Sequence, residues 1–372
     1  MTRVAVVGGG ITGLAAAWRL MTSGAEVTLL EETDRLGGKV LTGQFGDRPV
    51  DLGPDAFVAR TPEVLQLCHE LGLESELVTS ATDQAAVWVR GRLRFIPQDV
   101  VLGVPSRLTS VARSLILSPV GLARAALDVV LPRRGDGGDR SVGDLVTTRL
   151  GRQVRDRLVD PLFGGIHAGS STYLSVQATA PQLAAAAASR SLMRGVRLQR
   201  RTEAAGRPAF HSLRGGLSRL VERLEEELRS GGAEIHLETA VGSLPLEGFD
   251  ASIVTTPAPV AANLVAEASP IAAAELRGID HASVTLTVLA YPSAAFPRPL
   301  VGSGFLVPPS EGRLITACSF ASSKWPHWAG PDEVLLRVSA GRFGDGRALE
   351  MSDVELVQGV HNELVEALEL TD

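Results

Sequence analysis

Six residues near the start of the chain, Gly8-Gly9-Gly10-Ile11-Thr12-Gly13, have the types and spacing of a loop that holds a pyrophosphate. Glycines at 8, 10 and 13 fit the pattern G-x-G-x-x-G. The first permits a tight turn, the second lets backbone approach the phosphates, and the third lets a helix pack on a strand. Glu31 and its neighbour Glu32 follow at the distance where an acid binds ribose hydroxyls. The free N–H groups and positive dipole end of a helix starting here would face the phosphates. The chemistry these residues point to is recognition of a dinucleotide.

The elements that must position the loop are legible around it. Val4–Val7 is a continuous apolar run, as expected of a strand buried on both faces. From Thr12 the apolar residues Leu14, Ala17, Trp18 and Met21 recur at helical spacing, and Ser23-Gly24 ends that helix. Val27–Leu30 is a second strand, which predicts a βαβ unit with a right-handed crossover. Farther on, Thr61-Pro62 and Gly72 bracket a predicted helix within residues 61–79, and 85–97 reads as a hairpin turning at Gly91. Strand character fades from Ser106 to about Arg201. Residues 215–230 read as an amphipathic helix, and 234–237 and 252–255 as strands. Residues 283–291, 303–307, 313–320 and 334–340 predict a second sheet, and Ser352 an N-cap for a last helix to about Leu368.

Composition bounds the function classes. The 372 residues carry a net charge of −6 and 45% hydrophobic residues, which excludes a disordered chain. Two cysteines, Cys68 and Cys318, exclude a disulfide framework or CxxC metal cluster and fit a reducing cytoplasm. The seven histidines show no ligand spacing, so no metal site is expected. Aromatics at 4% are too few for stacking along single-stranded nucleic acid. No 18-residue apolar stretch predicts a transmembrane helix. Residues 107–207 hold 16 arginines against seven acidic residues, an excess of nine on an otherwise acidic chain. This basic region has three readings: contact with anionic lipid at the inner face of the membrane, steering of a polycarboxylate substrate, or an ordinary solvated surface.

After Glu31 come Asp34-Arg35-Leu36-Gly37-Gly38-Lys39 and then Asp51-Leu52-Gly53-Pro54. This resembles the E-x(3)-R-x-G-G-[RK] and [DE]-x-G signature of the amine-oxidase-like flavoproteins. The resemblance implies FAD as cofactor, with Gly38 and Lys39 at its diphosphate and Gly53, Pro54, Asp55, Ala56 and Val241 as further contacts. Narrower words resemble the flavin-dependent protoporphyrinogen/coproporphyrinogen III oxidases of the bacterial, oxygen-dependent branch. They are Gly53–Phe57, Pro97-Gln98 with Gly103–Pro105, Asp160–Gly169, Leu213–Leu217 and Ser322–Pro326. The resemblance runs from residue 3 to the end of the chain.

That resemblance implies an α/β fold: a Rossmann-type FAD-binding domain, a mixed-sheet substrate domain and an inserted helical subdomain. The expected division is 1–84 plus 208–260 for FAD, 85–105 plus 261–372 for substrate, and 106–207 for the helices. It implies oxidation of a porphyrinogen in haem biosynthesis, six electrons leaving in three flavin reductions with three O2 reduced to H2O2. The partners implied are the porphyrinogen, O2 and a downstream chelatase, with no nucleic acid. Gly165 and Ile166 are expected at the substrate wall and Arg60 at a substrate carboxylate. No protein side chain is expected to be catalytic, because the flavin carries the redox chemistry. Three departures stand out. The arginine that animal-type enzymes carry near position 85 is replaced by Ala85, and only Gly242–Asp250 joins Val241 to the next strand. After Leu368 the chain shows no Gly-rich turn of the kind that closes the flavin site in this group. The chain ending at Asp372 is therefore expected to bind FAD weakly or not at all by itself. Two alternatives stay open: another flavin oxidase or desaturase of the same scaffold, and an inactive fragment.

Overall fold

Val4, Ala5, Val6 and Val7 are all buried, because this strand has a parallel neighbour on each side. The computed structural model describes residues 1–59, 62–130, 138–202 and 210–371. Among them a parallel sheet runs in the order Glu234–His236, Glu26–Leu30, Arg3–Val7, Ala251–Val254. The helix Ile11–Thr22 supplies the crossover between the first two strands in sequence. Its Leu14, Ala17 and Trp18 pack with Leu220, Leu224 and Leu228 of the helix Ser218–Ser230, whose apolar residues recur at helical spacing.

The chain forms two compact units. The first comprises Met1–Ser80 and Pro208–His281, and holds the parallel sheet. The FAD-binding part was expected to end at 260. This unit continues through the helices Ala258–Leu264 and Pro270–Arg277. It also carries a hairpin of Thr42–Phe45 with Arg48–Asp51, and a three-stranded sheet in the order Phe57–Val58, Phe210–Leu213, Leu77–Thr79. The helix predicted within 61–79 is shorter, Pro62–Glu70, and its start signal Thr61 lies outside the described residues. Gly72 at φ +73° leads the chain out of the helix, and Leu77–Thr79 is taken up by pairing with Phe210–Leu213. A partner strand more than 130 residues away overrides the local pattern.

The second unit comprises Ala81–Arg207 and Ala282–Asp372. Its six-stranded sheet runs Thr285–Pro292, Glu333–Ala340, Ile315–Phe320, Gly304–Leu306, Ala85–Trp88, Leu93–Phe95. All neighbours are antiparallel except Gly304–Leu306 with Ala85–Trp88. The period of two decides what covers each face. Ala86 and Trp88 join the core under the helix Asp353–Leu368, whereas Val87 and Val89 join the core of the helical insertion. Ser352 caps that last helix in a capping box with Glu355.

The insertion is built around a buried ion pair. Asp128 and Arg149 are almost wholly excluded from solvent, and Arg149 Nε donates to Asp128 Oδ1 at 2.8 Å. The other oxygen of Asp128 accepts from the Ser191 hydroxyl at 2.6 Å and the Met193 N–H at 3.1 Å, and Arg149 also reaches the Arg190 carbonyl at 2.5 Å. This network ties three helices together with its members satisfied. Replacing Asp128 by Ala leaves a buried guanidinium uncompensated, which costs about 3–5 kcal/mol. Chemical denaturation of D128A is expected to show that loss, and an unchanged midpoint would contradict it.

Candidate functional site

The carboxyl ends of the parallel strands carry the loops that build a site, as open α/β sheets require. Gly8 has φ +106° and follows strand Arg3–Val7; its N–H donates to the Leu30 carbonyl at 2.8 Å. A Cβ on Gly13 would stand 1.8 Å from the Gly8 carbonyl oxygen, so the helix Ile11–Thr22 sits against the loop with no room for a side chain. A Cβ on Gly10 would meet nothing within 4 Å. That glycine faces open space, where a ligand's phosphates need the backbone bare.

A second loop lies against the first. The Gly37 N–H donates to the Gly9 carbonyl at 2.8 Å, and Gly10 and Gly37 form an isolated parallel bridge. Arg35 holds this loop from outside, its guanidinium donating to the Gly38 carbonyl at 2.8 Å and the Leu36 carbonyl at 3.3 Å. The Thr255 hydroxyl holds the first loop, within 3.0 Å of the carbonyls of both Val7 and Gly8. Glu31 accepts from the Gly9 N–H at 2.5 Å, the Thr33 N–H at 2.9 Å and the Thr33 hydroxyl at 2.7 Å. Partial burial pushes the Glu31 carboxyl upward. The bonds from Thr33 and Gly9 and the charge of Arg35 outweigh it and hold it below the usual range. Glu31 is a carboxylate at neutral pH, with lone pairs left for ribose hydroxyls.

A cavity of about 450 Å³ opens over these loops. Gly8, Gly10, Ile11, Thr12, Glu31, Glu32, Gly38, Lys39 and Val241 line it. Gly9 and Gly13 build the loop behind it. Gly53, Pro54, Asp55 and Ala56 are not part of its lining; a Cβ on Gly53 would instead stand 2.0 Å from the Lys39 carbonyl oxygen. Val241 arrives by a segment that tracks the second strand, with Thr239 N–H donating to the Glu31 carbonyl at 2.8 Å. Thr239, Thr255, Thr256, Pro257, Val260, Leu264 and His281 also line the cavity and were missed as site residues. The strand read at 252–255 was the available signal, since residues just past a parallel strand's carboxyl end face the ligand crevice. Bare backbone at Gly10, a helix N-terminus, an ionised Glu31 and the cation of Lys39 together fit a dinucleotide with its diphosphate over the two loops.

In the other unit, Gly165 and Ile166 belong to the last turn of helix Asp160–His167, and Ala168 follows in the left-handed region at φ +51°. The place of a Cβ on Gly165 is taken by the Leu306 side chain, 2.8 Å away. Ile166 is 61% exposed. The Ala168 carbonyl accepts from the Phe343 N–H at 2.7 Å, and the Phe343 ring meets that of the exposed Tyr173 edge-on at 5.6 Å. Neither aromatic was singled out from sequence. His167 stacks on Phe163 at 5.7 Å, and partial burial lowers its pKa. Arg60 lies outside the described residues.

Comparison with known proteins agrees with this geometry. The profile of the family described as flavin containing amine oxidoreductase matches residues 11–371. Coproporphyrinogen III oxidase of Bacillus subtilis (strain 168) is 32% identical over 99% of this chain and 83% of its own. That of Mycobacterium tuberculosis (strain ATCC 25618 / H37Rv) is 37% identical over 97% of this chain and 81% of its own. A crystal structure from Exiguobacterium sp. 255-15, provisionally assigned as a protoporphyrinogen oxidase, superposes with TM-score 0.86. It is 32% identical and covers 100% of this chain and 84% of its own.

Two glycine substitutions separate folding from binding. Gly13→Ala forces the Gly8 carbonyl to move, so a clear loss of melting temperature is expected. Gly10→Ala should change stability by no more than about 1 kcal/mol, yet weaken FAD binding by roughly tenfold or more, because its methyl occupies phosphate space. Equal melting losses in the two variants would contradict this assignment.

Proposed function

The chain belongs to the flavin containing amine oxidoreductase family, and from that premise we propose that it oxidises coproporphyrinogen III to coproporphyrin III in haem biosynthesis. The observation that carries the reading is the kinship with coproporphyrinogen III oxidases at 32–37% identity over nearly the whole chain. Protoporphyrinogen oxidase of Bos taurus, 31% identical over 88% of this chain and 74% of its own, supports protoporphyrinogen IX as the alternative substrate. When bound, FAD supplies two-electron redox chemistry, so six electrons correspond to three rounds, each returned to O2 as H2O2.

The protein's own groups then divide the work. Glu31 and Glu32 meet the ribose, and Lys39 with the bare backbone at Gly8, Gly10 and Gly38 meets the diphosphate. Ile166, Tyr173 and Phe343 offer exposed apolar and aromatic surface for a macrocycle. The porphyrin formed is the substrate class of a chelatase. Both cysteines are free and buried, which supports a cytoplasmic setting.

Contact with the inner face of the membrane is peripheral in this reading. No helix among the described residues is long and apolar enough to cross a membrane. The helix Leu192–Thr202 exposes Arg194, Arg197 and Arg200, with no acidic partner among the described residues. The Asp128 network holds its start beside the exposed Leu127 and Val129. Basic side chains next to apolar ones suit an anionic bilayer.

Coproporphyrinogen III supplied to FAD-loaded protein should yield a fluorescent porphyrin with three equivalents of peroxide. Turnover of amines in its place would sink the reading. Sedimentation with anionic vesicles, absent with neutral ones and lost in the R194E/R197E variant, is the result expected of the membrane contact. Equal pelleting with neutral vesicles would count against it.

A further inference from the structure

We propose that Asp51 is a positioning residue for the cofactor's diphosphate, acting through Lys39; this rests on the FAD reading above. Asp51 is fully buried at the end of the strand Arg48–Asp51. Its Oδ1 accepts from the Thr42 hydroxyl at 2.6 Å and from the Leu217 N–H, at the start of helix Ser218–Ser230, at 2.9 Å. Thr42 and Ser218 exchange two more bonds. The Thr42 N–H donates to Ser218 Oγ at 2.8 Å, and the Ser218 N–H donates to Thr42 Oγ1 at 3.1 Å. The hairpin that follows Lys39 is thereby fastened to a helix almost 170 residues away.

The fit is too close for a side chain between them. Gly216 has φ +88°, and a Cβ there would stand 2.4 Å from the Thr42 side chain and 2.9 Å from Asp51 Oδ1. This accounts for Gly216 in the Gly215-Gly216 word, which the dinucleotide cavity does not use. The fastening continues to Lys39 itself. The Leu52 N–H donates to the Leu41 carbonyl at 2.8 Å, and Gly53 lies directly against the Lys39 carbonyl. On the other side, Gly37 is bonded to Gly9 and packs against Val221 of the same helix.

The lysine main chain is thus held from both ends. The backbone that carries its four-carbon stem has less freedom left to lose when the ammonium meets phosphate. A buried acidic side chain whose Oδ1 accepts one O–H and one N–H bond from two distant segments is a stiff anchor for this purpose. Nothing in the geometry brings Asp51 to the ligand, so its effect must travel through the loop.

The test is a double-mutant cycle on FAD affinity, measured by fluorescence titration of the FAD-free full chain for the unsubstituted protein, D51A, K39Q and the pair. D51A removes the acceptor of both bonds, and alone it is expected to weaken binding by roughly tenfold. In the K39Q background the same change should cost less than about threefold, because the group it positions is gone. Equal losses in the two backgrounds would show that Asp51 serves the fold and not Lys39, and an unchanged affinity in D51A would equally overturn the proposal. Should D51A fail to fold, Thr42→Val removes one donor to Asp51 Oδ1 and keeps the Asp51 side chain, and the same cycle is read with the same outcomes. No FAD binding by the unsubstituted chain overturns the cofactor reading and this proposal together, whereas binding that D51A leaves untouched overturns only the role of Asp51.

Discussion

The structure of the first unit depends on backbone meeting backbone between two loops that both lack side chains. The Gly37 N–H to Gly9 carbonyl bond, 2.8 Å long, places one glycine pair against another. Neither loop could approach the other, or a diphosphate, if Cβ atoms stood in the way. What surrounds the pair serves to keep it in place: Thr255 on the first loop, Arg35 on the second, and the Asp51 hairpin behind Lys39. The parallel sheet matters here because it delivers three strand ends to one edge from distant parts of the chain. Val7 and Val254 are neighbours in space though almost 250 residues apart.

Electrostatics follow from that geometry. An anionic ligand over the loops meets a helix N-terminus, peptide N–H groups and one lysine. Glu31 would oppose it at the phosphates, but its bonds to Gly9 and Thr33 hold the carboxylate in place at the end of the second strand. The second unit spends its charge differently. A deeply buried pair, Asp128 with Arg149, fixes the insertion, and exposed arginines such as Arg194, Arg197 and Arg200 leave its surface basic.

Much of this was legible in the residues, and the reasons are specific. Val4–Val7, Thr12–Met21 and Val27–Leu30 form a local unit whose motif demands its own context, so pattern and structure coincide. The four strands of the second sheet read between 283 and 340 were recognisable as short apolar runs, the pattern of strands covered on both faces. Less legible were the hairpin Thr42–Asp51 and the three-stranded sheet. Their strands are two to four residues long and gain stability only from partners far along the chain. Leu77–Thr79 shows this most clearly, since only its pairing with Phe210–Leu213 makes it a strand.

The sequence by itself determined the dinucleotide loop, the flavoprotein kinship and the residues Glu31 and Lys39, because these depend on short spacings and on backbone freedom that residue type alone settles. Only the tertiary structure decided that Gly53 backs the Lys39 carbonyl, that Gly165 makes room for Leu306, and that Asp51 and Gly216 belong to one knot. The physical reason is range. Hydrogen bonds and close packing act over a few ångströms in space, and residues 51 and 217 reach that distance only once both strands and the helix between their partners are in place.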